Sequence, residues 1–243
     1  MQARVNWAFA EICDRAANVA EVQAAFMREI RDLGFTHAAC ASHVDPLKPP
    51  AEAVMMVDYP QAWLERFSAK NYATRDPVFR AARRQTLPFQ WSDQNFRRGL
   101  APDQLRILNE AAEAGLADGI TIPIHAPDAL PASCSLVIGA DGVDPLNAQK
   151  ATWYGVYAHE CARRLRLADL PAKPQLSPRE RECVQLLGQG KDDGAMAIIL
   201  GLSEHTVHNI VRRAMHKYGV VSRVQAFVRA LKDGQIRLED VAT

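Results

Sequence analysis

His205, His208, Asn209, Arg212, His216 and Lys217 share one side of the stretch SEHTVHNIVRRAMHKYG if it is helical, with Arg213 at the margin. No acidic side chain follows Glu204 on that side, so it suits the electronegative major groove, where Arg212 can meet guanine O6 and N7 with two bonds. Lys191, Arg213, Lys217 and Arg223 are spaced to meet phosphates, and Ser203 and Thr206 open the helix, which completes a candidate DNA-contacting set. The opposite side, Val207, Ile210, Val211, Ala214 and Tyr218, is apolar and requires a partner. The preceding AMAIILGL supplies it. Small Ala197 lets two helices approach, Gly201 accepts the positive φ of a sharp turn, and Val207 fills the angle between them, with Met196, Leu200, Leu202 and Ile210 at the remaining apolar places. Ser203 then caps the second helix and Gly219 ends it. The pattern predicts a helix-turn-helix; the bland alternative is a three-helix bundle with a solvated basic face.

Other residue sets fit their chemistry less well. HAACASH sets His37, Cys40 and His43 three apart, but on a strand Cys40 faces away from both histidines and no fourth ligand is apparent, so no metal is expected. Ser135, His125 and Asp128 would supply a nucleophile, a base and an orienting group, yet no elbow motif surrounds Ser135. The chain is therefore read as a non-enzyme, with no catalytic residue and no cofactor. Arg80, Arg83 and Arg84 in RAARR read as a solvated helix face.

These side chains need elements to hold them. The chain has 243 residues, 48% of them apolar, enough for one large or two ordinary domains, and its net charge of +1 argues against bulk electrostatic binding of nucleic acid. Five widely spaced cysteines, Cys13, Cys40, Cys134, Cys161 and Cys183, read as reduced thiols. Glu11 and Asp14 interrupt the first apolar stretch, so no signal-peptide core forms, and no apolar run reaches bilayer length; the expected location is the cytoplasm, without membrane contact. Pro171 and Pro174 mark a boundary, giving a first domain over residues 1–168, a linker over 169–175 and a second domain over 176–243. SPRE restarts the chain with a capping box, Ser177 to Glu180, and Pro178 at the first helical position. Before the boundary the periodicity predicts a helix over 4–33, strands in FTHAACASHV and AVMMVDYP, and helices in QAWLERFSAKNYA and APDQLRILNEAAEAGL. A strand pair follows in GITIPIH and ASCSLVIGAD, then a helix from Asn147 to Leu167 with Trp153, Val156, Tyr157, Cys161 and Leu165 along one side, read equally as core or as a contact between two protomers. That order predicts an α+β fold whose first domain is an α/β/α sandwich around a mostly antiparallel sheet.

From LSPRERECVQLLGQGK through LSEHTVHNIVRRAMHKYGVVSRVQAFVRA the second domain resembles the output domain of LuxR-type regulators. The resemblance implies a small all-α four-helix unit whose third helix reads DNA and whose fourth supports pairing of protomers, and by position His208 and Arg212 are similar to base-contacting places. Val184 stands where leucine is usual, and KDDGAMAIILG starts with more acid than the usual threonine-rich version. Such output domains also follow phosphate-accepting receivers, but the strand-helix alternation and acidic set of a receiver are missing here. Instead YPQAWLERFSAKNYATRDPVFRAARRQTLPFQWSD resembles the signal-binding domain of quorum-sensing LuxR-type proteins, which recognise N-acyl-homoserine lactones. Trp63 precedes Asp76 by thirteen residues, Pro77 follows, Trp91 closes the stretch, and Gly119, Tyr59 and Ser135 also match that pattern.

The resemblance implies a pocket for a ligand with one amide N–H, two carbonyls and an apolar tail. Asp76 would accept from the amide, Trp63 would donate to the lactone carbonyl, Tyr59 with Ser135 would donate to the amide carbonyl, and Trp91 would lie against the ring. Phe67 replaces a usual tyrosine, which removes a hydroxyl from the wall and predicts a plain, branched or aromatic acyl group over a 3-oxo chain. Taken singly, Trp63 and Trp91 also read as core aromatics and Asp76 as a turn former. The expected molecule is a ligand-responsive quorum-sensing transcription regulator, binding double-stranded DNA at a pseudo-palindromic operator as a homodimer. Its rivals are a signal-independent regulator, a sensor of another small molecule, and an enzyme fused to a DNA-binding module.

Overall fold

The computed structural model describes residues 7–126 and 129–241. The chain divides into two compact units, with the break between Leu170 and Pro171. Helices α1 (Trp7–Arg15) and α2 (Val19–Asp32) open the first unit. The single helix expected over 4–33 is thus split, because Asn18 takes an extended conformation and its side chain accepts from the Glu21 N–H at 3.0 Å, capping α2. Strands β1 (Phe35–Ser42) and β2 (Met55–Val57) follow, then α3 (Gln61–Ala69). Asn71, at φ 49°, ends α3 earlier than its apolar pattern suggests, and a short 3-10 turn covers Tyr72–Thr74. Next come α4 (Pro77–Ala82), β3 (Phe89–Gln90), α5 (Gln94–Arg97) and α6 (Pro102–Glu113), then β4 (Gly119–Ile124), β5 (Ala132–Ile138) and α7 (Pro145–Ala168).

The five strands form one open sheet in the order β2-β1-β5-β4-β3, every neighbouring pair antiparallel. Alternation along β5 separates two cores. Cys134 and Leu136 pack with Phe26, Ile30, Met56 and Tyr154 under α1, α2 and α7. Ser133, Ser135 and Val137 face the other side, where α3, α4 and α6 bring Trp63, Phe67, Val78, Ile107 and Leu108. The architecture is an α/β/α sandwich. On α7 the buried face is Ala151, Tyr154, Gly155, Ala158, Cys161 and Ala162, whereas Val156 of the expected stripe is 45% exposed. Small residues dominate because α7 lies close on the sheet: a Cβ at Gly155 would sit 2.8 Å from the Cys134 sulfur.

The second unit is all helical, with α8 (Pro178–Gly188), α9 (Asp193–Leu200), α10 (Glu204–Lys217) and α11 (Arg223–Lys232). Ser177 and Glu180 make the reciprocal capping box with Pro178 as the first helical residue. Gly201, at φ 65°, turns α9 into α10, and Gly219, at φ 61°, follows the end of α10. No helix among the described residues is long and apolar enough to cross a membrane.

Candidate functional site

A hollow of about 90 Å³ lies between the second face of the sheet and α3, α4 and α6. Tyr59, Trp63, Phe67, Asp76, Trp91 and Ser135, which the sequence singles out, all line it. The remaining wall is mostly apolar: Ala39, Ala41, Met55, Val57, Leu64 and Ile107 among others. Asp76 stands before Pro77 as the N-cap of α4, and its Oδ1 accepts from the Phe79 N–H at 2.8 Å. The carboxyl is 8% exposed and has no cationic partner among the described residues. Burial pushes it up to about 6, and the N–H groups of Phe79 and Val78 only partly offset that rise. A ligand N–H beside it would meet a carboxylate short of donors. The indole nitrogen of buried Trp63 carries no hydrogen bond among the described residues, so its donor is free for a ligand carbonyl.

Trp91 belongs to a buried hydrogen-bond chain. The Trp91 indole N–H donates to Thr121 Oγ1 at 2.8 Å, and Thr121 Oγ1 lies 2.8 Å from Ser135 Oγ. Trp91 has spent its donor, and only its ring is left to touch a ligand. Burial drives the Tyr59 phenol well above its ordinary value and keeps it a neutral donor. Gly119 makes this possible: a Cβ there would lie 2.6 Å from the Leu136 carbonyl oxygen and 2.9 Å from the Trp91 ring. Phe67 offers no polar atom. It stands edge-on to Trp63, Tyr72 and Phe79 with ring centroids 5.8–5.9 Å apart.

In the second unit Val207, Ile210 and Val211 bury one face of α10 against Cys183, Met196 and Ala197, and Ala214 packs with Val184 and Ala230. His205, Thr206, His208, Arg212, Arg213 and His216 are exposed on the other, and Asn209 donates its amide N–H to His205 Nε2 at 3.1 Å. Ser203 caps the helix through the Thr206 N–H at 3.1 Å. Two expected phosphate contacts are engaged elsewhere. Lys217 donates to Glu180 Oε2 at 2.6 Å and to the Gln175 carbonyl at 2.9 Å, tying α10 to the capping box of α8. Arg223 grips both Asp193 oxygens, with its Nη2 2.8 Å from Oδ2, and that guanidinium holds the Asp193 carboxyl below the usual range. His208 Nδ1 sits 3.3 Å from both Asp193 Oδ2 and Arg223 Nη2, so α9, α10 and α11 meet in a three-residue cluster. Asp193 of the acidic start KDDGAMAIILG is thereby paired within the unit, while Asp192 caps α9 through the Ala195 N–H at 2.8 Å. Lys191, Arg212 and Arg213 are left as exposed cations without an ion-pair partner among the described residues.

Residues 18–162 match the autoinducer binding domain, and residues 174–230 match the bacterial regulatory proteins of the luxR family. The chain belongs to the LuxR family of quorum-sensing transcription regulators. It is 32% identical to the HTH-type quorum sensing-dependent transcriptional regulator RpaR of Rhodopseudomonas palustris over 191 residues, covering 77% of this chain and 76% of RpaR. It is 33% identical to the HTH-type quorum-sensing regulator RhlR of Pseudomonas aeruginosa over 226 residues, 88% and 89% of the two chains. Its fold matches SdiA in complex with octanoyl-rac-glycerol at a TM-score of 0.74 and 22% identity, over 98% and 99% of the chains.

As a LuxR-family regulator the chain binds an autoinducer through its first domain and DNA through its helix-turn-helix, and its relatives are not enzymes. Of the Ser135, His125 and Asp128 set, the Ser135 hydroxyl lies 2.8 Å from Thr121 Oγ1, His125 Nε2 lies 2.8 Å from the Gln85 carbonyl, and Asp128 falls outside the described residues. The histidines of HAACASH diverge from Cys40, whose sulfur rests on the Gly155 carbonyl, while His43 stacks on Phe79 at 4.2 Å. Sequence reasoning missed Thr121. Its role depends on the cross-strand register Thr121↔Ser135, which no local pattern announces.

Proposed function

We propose that this chain is a cytoplasmic, homodimeric regulator that binds an N-acyl-homoserine lactone in residues 1–168, passes through the linker 169–175, and reads DNA with residues 176–243. Asp76 accepts from the ligand amide N–H, Trp63 donates to the lactone carbonyl, Tyr59 backed by Ser135 donates to the amide carbonyl, and Trp91 covers the ring. The observation that carries this reading is the buried Asp76 carboxyl, without a cationic partner among the described residues, at the wall of a mostly apolar hollow. On DNA, His208 and Arg212 contact bases and Lys191, Arg213 and the N-terminus of α10 contact phosphates. Two copies would span half-sites about one helical turn, roughly 10 base pairs, apart. Ligand that binds only the folded domain stabilises it by mass action. The test is the melting temperature of the full chain against a panel of homoserine lactones, with Asp76→Asn as control, and sedimentation for the dimer. Stabilisation by one lactone that the variant abolishes is expected; no shift with any lactone would overturn the assignment.

A further inference from the structure

Besides the groups assigned to the ligand head, the hollow has a second polar place. Ser133 lies two residues before Ser135 on β5, so both hydroxyls sit on the cavity side of the sheet, about 7 Å apart by strand rise. Ala41 stands opposite Ser133 on β1 and Pro123 on β4, and neither offers a side-chain partner. The Ser133 hydroxyl instead lies 2.9 Å from Nε2 of His43, a 6% exposed imidazole pressed flat against Phe79. His43 Nδ1 is buried with no hydrogen-bond partner among the described residues. Burial and the nearby Arg83 push that ring down to about 3, so it is neutral and carries one proton. The Ser133 bond offsets the cost of burying the imidazole on its Nε2 side only.

A neutral imidazole leaves Ser133 one open hydrogen-bonding position in either tautomer. If Nε2–H donates to Ser133, the serine proton is free to donate into the hollow. If Nε2 accepts from Ser133, the serine oxygen is free to accept. A ligand hydroxyl satisfies both arrangements, because it donates and accepts; a carbonyl satisfies one, and a methylene neither. On the lactone reading of the previous subsection, on which this step rests, the amide carbonyl is held at Tyr59 and Ser135. A group that reaches Ser133 then lies about five bonds along the acyl chain.

We propose that Ser133, held by His43, is a specificity site for a hydroxyl on the far part of the acyl group, so that the cognate signal is a homoserine lactone acylated with a distally hydroxylated acid. Ser133 touches the ligand, and His43 is a positioning residue that aims the serine.

The test compares N-hexanoyl-, N-(3-hydroxyhexanoyl)- and N-(6-hydroxyhexanoyl)-homoserine lactone on the full chain by titration, with Ser133→Ala, Ser133→Thr and His43→Phe. The 6-hydroxy ligand should bind wild type at least tenfold more tightly than the plain one. Ser133→Ala should erase that preference while leaving plain hexanoyl binding within twofold, Ser133→Thr should restore it, and His43→Phe should reduce it. Hexanoyl binding as well as or better than its 6-hydroxy form, or the 3-hydroxy form binding best, would overturn the specificity site and leave the lactone reading standing. A preference that survives in Ser133→Ala would do the same. Failure of all three ligands to bind wild type would overturn both.

Discussion

At the scale of single residues, Asp76 does two jobs that pull its proton in opposite directions. Its carboxyl is raised from 3.8 to about 6 in the folded domain. The folded state therefore binds that proton more tightly than the unfolded chain, and ionisation costs on the order of 3 kcal/mol of stability. The loss is full above pH 6, shrinks as the pH falls from 6 towards 4, and is absent below the unfolded value. Without ligand, the first unit should therefore be less stable at pH 7 than at pH 5 by this group's contribution. Ligand affinity should move the other way, since an amide N–H needs the ionised form, and titration should show it about tenfold weaker at pH 5 than at pH 7. Asp76→Asn keeps a good N-cap residue, so chemical denaturation should show unliganded stability retained at pH 7 with a flattened pH slope, while lactone affinity falls at least tenfold. Phe67→Tyr adds a hydroxyl among Trp63, Tyr72 and Phe79; binding assays should find 3-oxo ligands gaining relative to plain ones, and an unchanged ratio would refute the role given to Phe67. Trp63, Asp76 and Trp91 were legible in sequence because their type and spacing persist along the chain. Thr121, Ser133 and His43 were not, because their meaning arises across strands β1, β4 and β5.

At the scale of elements, long periodic helices were readable and short capped ones were not. The helix expected from Asn147 begins at Pro145, capped by Asp144 through the Leu146 N–H at 2.7 Å, and continues to Ala168. By contrast α4 has six residues, α5 four and β3 two, too few to show a period. They exist because Asp76 and Asp93 cap the two helices and because Gln90 pairs with Ile120 on β4. Gly155 fixes how closely α7 lies on the sheet. Gly155→Ala would force a Cβ to within 2.8 Å of the Cys134 sulfur, so overpacking should cost about 1–3 kcal/mol, read as a lowered melting temperature. In the second unit the Lys217–Glu180 bond joins α10 to α8, with Glu180 5% exposed. Lys217→Met should lower that unit's melting temperature yet leave the salt dependence of DNA binding unchanged. Arg213→Ala should instead reduce the salt slope by about one without a comparable loss of stability. A reduced slope for Lys217→Met would show that the ammonium leaves Glu180 for a phosphate.

At the scale of the whole molecule, the two units have separate cores, one pair of clusters around the sheet and another among the four helices. Differential scanning calorimetry should accordingly resolve two transitions, with lactone moving only the one that belongs to the first unit. A shift of both would mean that the units melt together. Composition left one or two domains open and the prolines at 171 and 174 fall beside the break between the units, whereas the engagement of Lys217 and Arg223 did not show, because a positive charge in sequence does not reveal whether a carboxylate lies beside it. The cluster of Asp193, His208 and Arg223 has one further implication. Because Arg223 grips both Asp193 oxygens without help from His208, a new operator preference written at position 208 alone leaves that pair intact, so specificity at this place should transplant between related regulators by a single exchange.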